Sequence, residues 1–347
     1  MIFEEYKDKG ISGLSNLGNT CFINSCVQVL SHTYELNDFL NSNYKKKLKN
    51  KVESGLLLEW DNLRKLLWST NCVISPGKFV NTIRKVAHIK NVEIFTGYSQ
   101  NDLPEFFLFI IDCFHTALSR EIKMTISGTA ENETDLVAIK CYEMIKNMYS
   151  KEYSEIWNLF YAIHTSELIS LDTNTRINIT PEPFSIIDLP IPNNNKSPSL
   201  IDCLNLYIEG EILEGDNAWY NEKTQRKENI KKKISFWSFP TILVIDFKRF
   251  NTRNQKNQIH IDFPFELDLT KYVIGYKKNS YKYELFGVCN HSGGVLGGHY
   301  TCYSKNANGK WYHYNDTDVS EVQIIQSIVS PKAYVLFYRK INKILEK

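Results

Sequence analysis

Cys21 is the residue of this sequence best placed for covalent chemistry. It follows the turn-forming run Gly18-Asn19-Thr20 and opens an amphipathic helix that sets Phe22, Cys26 and Leu30 on one face. A thiol at a helix N-terminus meets unpaired N–H groups and the positive end of the dipole, which favour the nucleophilic thiolate. The bland alternative is a buried structural cysteine. A thiolate nucleophile needs an imidazole to pair with it and to protonate a leaving amine. Among eight histidines, His299 stands in Gly293-Gly-Val-Leu-Gly-Gly-His-Tyr, a glycine-rich loop that lets an extended peptide approach and feeds the histidine onto a strand. Downstream, Trp311-Tyr-His-Tyr-Asn-Asp-Thr-Asp closes a short strand on Asn315 and Asp316, either of which can orient an imidazole.

Two kinds of structure must carry these residues. Residues 11 to 120 read mostly as helix, with apolar residues at helical spacing in Cys21 to Leu30, Leu56 to Trp68 and Glu105 to Leu118, and a further helix over Leu136 to Met148. From about residue 176, β-branched and aromatic runs predict strands at Ile186 to Pro190, Thr241 to Phe247, Tyr283 to Cys289, His299 to Tyr303, Trp311 to Tyr314 and Ala333 to Tyr338. No repeat or long Gly/Ser linker divides them, so one composite α+β domain over 1–347 is expected. Pro192 to Ser199 reads as a loop. The charged stretch Gly215 to Lys233 and the lysines between Lys45 and Lys51 read as solvated surface. Asp102 and Glu105 lie three apart at the start of a helix and share a face where the dipole stabilises negative charge. With Pro104 in the first turn, the pair reads as N-terminal helix capping.

A length of 347 residues is enough for a substantial core, and 43% hydrophobic residues exclude a disordered chain. Forty-one Lys and Arg against 39 Asp and Glu leave a charge of +2, which argues against a bulk electrostatic handle for nucleic acid or membranes. The first ten residues have no apolar signal core, and the longest apolar runs fall short of the roughly 20 residues of a membrane span. A soluble cytoplasmic or nuclear protein, with free thiols rather than disulfides at its eight scattered cysteines, is expected.

The order Cys, His, Asn/Asp is that of papain, and the surrounding motifs are more specific. Gly13-Leu-Ser-Asn-Leu-Gly-Asn-Thr-Cys-Phe-Ile-Asn-Ser resembles the cysteine box of the ubiquitin-specific proteases, the papain-like deubiquitinating enzymes. Gly298-His-Tyr with Trp311-Tyr-His-Tyr-Asn-Asp resembles their histidine box. Gln100-Asn-Asp-Leu-Pro-Glu-Phe, Pro240-Thr-Ile-Leu-Val-Ile-Asp-Phe-Lys-Arg-Phe and Tyr283 to Ser292 are similar to intermediate landmarks, so the likeness spans residues 13 to 338.

The resemblance implies a hand-shaped α+β fold: a helical thumb (about 11–155), β fingers with connecting palm strands (156–238) and a mixed β palm (239–345). It implies hydrolysis after the C-terminal glycine of ubiquitin through a thioester, by a monomer whose partners are ubiquitin and its conjugates, with no nucleic-acid or membrane partner. By position Cys21 matches the nucleophile, His299 the general base, Asn315 the third triad member with Asp316 beside it, and Asn16 the oxyanion-hole side chain. Asp102 and Glu105 match acids that meet arginines of the ubiquitin tail, and Gln100, Gly297, Gly298 and Tyr300 complete the expected substrate channel. Alternatives are a protease for another ubiquitin-like modifier and a catalytically dead ubiquitin-binding scaffold. Most relatives also carry two Cys-x-x-Cys pairs that hold one zinc at the fingertips. Here the corresponding stretches are Ser166 to Asp172 and Tyr220 to Thr224, without a thiolate, so no metal and no cofactor is expected. The fingers are instead expected to rest on strand pairing and on Trp219, Tyr220, Phe236 and Trp237.

Overall fold

The computed structural model describes residues 3–193, 197–276, 281–294 and 297–341. Parts of the polar loop 192–199 and of the glycine-rich run 293–298 therefore lie outside the described residues. In the N-terminal half, the described residues form α1 (Cys21–Ser31), α2 (Tyr34–Asn41), α3 (Val52–Leu67), α4 (Gly77–Ile89), α5 (Leu103–Leu118), α6 (Glu133–Tyr149) and α7 (Glu155–Phe160). A short parallel pair, β1 (Gly13–Leu14) and β2 (Val73–Ile74), ties the segment before α1 to the α3–α4 connection.

Strands begin earlier than the sequence pattern indicates. β3 (Ala162–Ser170) and β4 (Arg176–Phe184) form a long hairpin, followed by β5 (Ile186–Leu189), α8 (Leu200–Glu209) and β6 (Glu211–Leu213). The outer part of β3 is half-buried on both faces, so its sequence lacks a clean two-residue alternation. The charged stretch after residue 215 is also structured rather than loop. It contains β7 (Trp219–Asn221), β8 (Arg226–Glu228) and most of β9 (Ile230–Phe236). Lys231, Lys232 and Lys233 pair in register with Ile169, Leu168 and Glu167 of β3, and their side chains lie half-buried or exposed.

The remaining strands build the palm: β10 (Ile242–Phe247), β11 (Glu266–Asp268), β12 (Lys282–Gly294), β13 (Gly297–Lys305), β14 (Trp311–Asn315), β15 (Asp318–Glu321) and β16 (Ala333–Lys340). The palm sheet runs β15-β14-β13-β12-β16-β10-β5, with β11 pairing β12. The pairing is antiparallel except between β10 and β5. A separate sheet, β4-β3-β9-β6, with the β7–β8 hairpin, makes the fingers.

One apolar core joins the helices to one palm face, from Leu14, Phe22 and Trp60 through Phe106 and Phe114 to Val244, Cys289 and Phe337. A second core backs the other palm face with Leu200, Leu243, Tyr283 and Leu336. α1 lies inside the first: all eleven of its residues are buried, so it presents no solvent face. Its polar residues are accommodated in place, as when Gln28 Nε2 donates to Ser12 O at 2.7 Å.

The fingers are held partly as the aromatic content suggests. Phe236 packs on Phe239 and Tyr207, and Trp237 closes a small cluster with Ile163, Ile179 and Cys141 at the finger base. Tyr220 does not contribute, being 53% exposed. At the β7–β8 tip, Asn221 Nδ2 donates to both Glu228 carboxylate oxygens at 3.0 Å, and Thr224 Oγ1 donates to Glu228 Oε1 at 2.6 Å. These groups satisfy one another and offer no thiolate, so they do not fit a structural zinc. Among the described residues no cluster of His, Cys, Asp or Glu is arranged to hold a metal ion.

Candidate active site

Cys21 is the first residue of α1, behind Thr20, and faces β13. Across from it His299 emerges on β13, exposed, and its Nε2 lies 2.6 Å from Asn315 Oδ1 at the end of β14. An amide oxygen only accepts, so this bond places the proton on Nε2 and leaves Nδ1 with its lone pair. Sequence positions hundreds of residues apart therefore converge because α1 packs against β13 and β14, the strands that carry the histidine and its partner, and against β12 beside them.

Burial raises the Cys21 pKa above the ordinary cysteine range. The Tyr300 backbone N–H pulls it down, and the Asp316 carboxylate adds to the rise. Desolvation is the largest of these effects and favours the neutral thiol. Among the described residues, the side chain that donates to Cys21 Sγ is Gln100, through Nε2 at 3.9 Å.

Asn315 and Asp316 adjoin in sequence but have different partners. Asp316 sits at φ +50, which turns the chain out of β14. Its Oδ2 accepts from Asn16 Nδ2 at 2.9 Å and its Oδ1 from Asn24 Nδ2 at 2.7 Å. Its backbone oxygen accepts the Leu14 N–H at 2.7 Å. Asn16 Oδ1 in turn accepts from the Gly18 and Thr20 N–H groups. Asn16 is thus fixed at both ends of its carboxamide, with one N–H of Nδ2 left over beside the N-terminus of α1. The approach is close enough that a Cβ on Gly13 would lie 2.3 Å from Thr317 O, so only glycine passes there.

A cleft of about 380 Å³ leads to this centre, lined by Gln100, Asp102, Phe250, His291, Tyr300 and Tyr334 among others. Asp102 is the N-cap residue of α5, but its side chain makes no cap hydrogen bond. It accepts instead from Tyr300 OH at 3.1 Å and Tyr334 OH at 3.0 Å. Burial raises its pKa, against the pull of these hydroxyls. Glu105 is exposed on the first turn of α5. Gly298 donates its N–H to Gln100 Oε1 at 2.7 Å, while Gly297 lies exposed at the start of β13. A Cβ on Gly298 would meet His291 Nε2 at 2.3 Å, which requires glycine there.

The family model described as ubiquitin carboxyl-terminal hydrolase matches residues 12–338. The chain belongs to that family. Ubiquitin carboxyl-terminal hydrolase 2 of Bos taurus is 33% identical over 341 residues, an overlap covering 95% of this chain and 55% of that protein. Ubiquitin carboxyl-terminal hydrolase Usp2 of Drosophila melanogaster is 30% identical over 340 residues, covering 96% of this chain and 35% of the other. The chain thus spans about half or less of the length of these relatives. The SAGA Ubp8/Sgf11/Sus1/Sgf73 DUB module, solved bound to ubiquitin aldehyde, superposes with a TM-score of 0.73 at 24% identity, covering 97% of this chain and 71% of that one. That likeness establishes the expected papain-like α+β fold.

Five residues of the site have no role in the motif reading. Asn24 lies within the cysteine box, three residues after Cys21, yet only the fold shows it bonded to Asp316. His291, buried against Tyr300 at a ring separation of 4.6 Å, lies in the Tyr283 to Ser292 landmark without a role attached to it. Tyr334 belongs to a segment read only as a strand, and Phe250 closes the Pro240 to Phe250 landmark without a role attached to it. Lys256 sits behind the cleft with Nζ 3.0 Å from His291 Nδ1. Burial and then Lys256 push the His291 pKa down to about 4, which keeps the ring neutral.

Proposed function

We propose that this chain is a thiol-dependent deubiquitinase that hydrolyses the peptide or isopeptide bond after the C-terminal glycine of ubiquitin. The observation that carries the reading is the bond between His299 Nε2 and Asn315 Oδ1, on strands facing Cys21 at the N-terminus of α1. In this reading His299 Nδ1 takes the thiol proton as Cys21 Sγ attacks the glycine carbonyl. Asn16 Nδ2–H and the Cys21 N–H receive the negative charge on the carbonyl oxygen. The C–N bond then breaks, His299 protonates the leaving amine, and a thioester remains. Water, deprotonated by His299, attacks that thioester and releases the tail with the thiol restored.

Asp102, with Glu105 at the rim, supplies negative charge to a basic tail, and Gln100, Gly297, Gly298 and Tyr300 line its path. Residues 1–347 act as one catalytic unit and as a monomer, without metal, nucleic acid or membrane partners, in the cytoplasm or nucleus. The likeness to a module solved with ubiquitin aldehyde supports ubiquitin as the partner. The test is hydrolysis of a fluorogenic amide of the ubiquitin C-terminus. Wild type turns it over and Cys21→Ala does not, while still binding ubiquitin. Turnover retained in Cys21→Ala overturns the assignment. Labelling by an electrophilic probe built on another ubiquitin-like protein, in preference to the ubiquitin probe, would reassign the substrate.

A further inference from the structure

Gln100 reaches across the cleft from the loop before α5. Its Oε1 accepts the Gly298 backbone N–H at 2.7 Å, and its Nε2 donates weakly to Cys21 Sγ at 3.9 Å. One neutral side chain therefore touches both the nucleophile and the strand that carries His299. Cys21 is only 3% exposed although His299 opposite is open to solvent.

The chemistry of the bridging group is informative. A glutamine carboxamide presents the same planar C=O and N–H as a peptide group. Gly298 offers a main-chain donor at the end of a strand, the kind of group an extended peptide uses when it lies along a sheet. A substrate carbonyl arriving beside Cys21 has to compete for the space and the donor that Gln100 holds.

We propose that Gln100 is a substrate-mimicking latch, whose carboxamide covers Cys21 in the empty enzyme and must be displaced by the incoming tail. The inference rests on the cleft being the tail channel. It adds that the channel is closed by the chain's own side chain before substrate arrives. Both contacts are neutral and one is long, so the latch slows access to the thiol without abolishing it.

The test is alkylation of Cys21 by iodoacetamide, measured by mass spectrometry against the exposed Cys72 in the same molecule. It uses wild type, Gln100→Ala and Gln100→Asn, the last one methylene shorter and unable to span both contacts. Melting curves establish that the variants are folded. Cys21 alkylation relative to Cys72 should rise about fivefold in both variants, the equivalent of one lost neutral hydrogen bond. Capture by a ubiquitin probe with a C-terminal electrophile, at concentrations below saturation, should also accelerate. Unchanged alkylation in folded variants overturns the latch. Faster alkylation with slower capture also overturns it, because Gln100 would then be serving the filled channel. Failure of wild type itself to be captured counts against the ubiquitin reading, and the alkylation ratio still decides the latch.

Discussion

Asp316 Oδ2 takes a hydrogen bond from Asn16 Nδ2 at 2.9 Å, and its other oxygen takes one from Asn24 at 2.7 Å. The carboxylate is spent on the segment around Cys21, while the His299 imidazole is held by the neighbouring asparagine. Two adjacent residues that sequence alone makes interchangeable are thereby given separate duties.

The first prediction follows from that division. Asp316→Ala should release Asn16 and lower kcat for a ubiquitin amide by about 10²-fold, the usual loss for one oxyanion donor. KM should change little. Asn315→Ala should instead disturb the histidine and shift the pH profile of kcat/KM. If Asp316→Ala is silent and Asn315→Ala alone inactivates, Asp316 does not position the oxyanion donor.

The second concerns the nucleophile. Because burial raises the Cys21 pKa, its alkylation in the empty enzyme should climb with pH to a midpoint above about 8.5, the value of a free cysteine. Iodoacetamide rates followed between pH 6 and 10 measure this. A plateau already reached by pH 7 would mean that a thiolate–imidazolium pair exists before substrate arrives.

Asp102 gives a stability prediction with a definite sign. Its folded pKa lies above the unfolded carboxylate value of about 3.9, chiefly through burial. The native state therefore holds this proton longer, and stability from this group falls as pH rises through the folded pKa. Asp102→Asn removes that loss. It should melt higher than wild type at pH 7 and no higher at pH 3, while raising KM for ubiquitin substrates about tenfold through the lost charge. A variant less stable than wild type at pH 7 contradicts the argument.

The fingertip prediction concerns Glu228. Hydrogen bonds from Thr224 and Asn221 lower its pKa, so the clamp is complete at neutral pH and weakens as pH falls through its folded pKa. Glu228→Ala should speed amide exchange in residues 219–228 and leave the palm strands protected. Elemental analysis should find no stoichiometric zinc, and chelators should leave melting and activity unchanged. One zinc per chain, lost together with activity on chelation, would show ligands elsewhere.

Local chemistry was legible where it depends on neighbours in the chain. The Gly-Asn-Thr turn before Cys21 and the strand closing on Asn315 stand where the spacing puts them, and the helix read from Glu105 begins two residues earlier, at Leu103. The sequence reading misses α8: the Ser199–Asp202 capping box and the apolar Leu200, Cys203 and Leu204 that signal it adjoin the asparagine-rich loop and are absorbed into it. Burial was not legible. The dipole argument at Cys21 is local, whereas the desolvation that opposes it comes from packing between sheet and helices. The different partners of Asn315 and Asp316 likewise depend on the left-handed backbone at Asp316, which no pattern of residue types announces.

The complete enclosure of α1 has a mechanical consequence. The helix that begins with the nucleophile belongs at once to the helical half and to the palm sheet, and its side chains fill the core common to both. Rocking one half against the other would have to tear that core, so the chain has no hinge at its centre. Adjustment to substrates must come from side chains and surface loops. The backbone amides in the middle of α1 should then exchange with solvent only when the whole molecule unfolds.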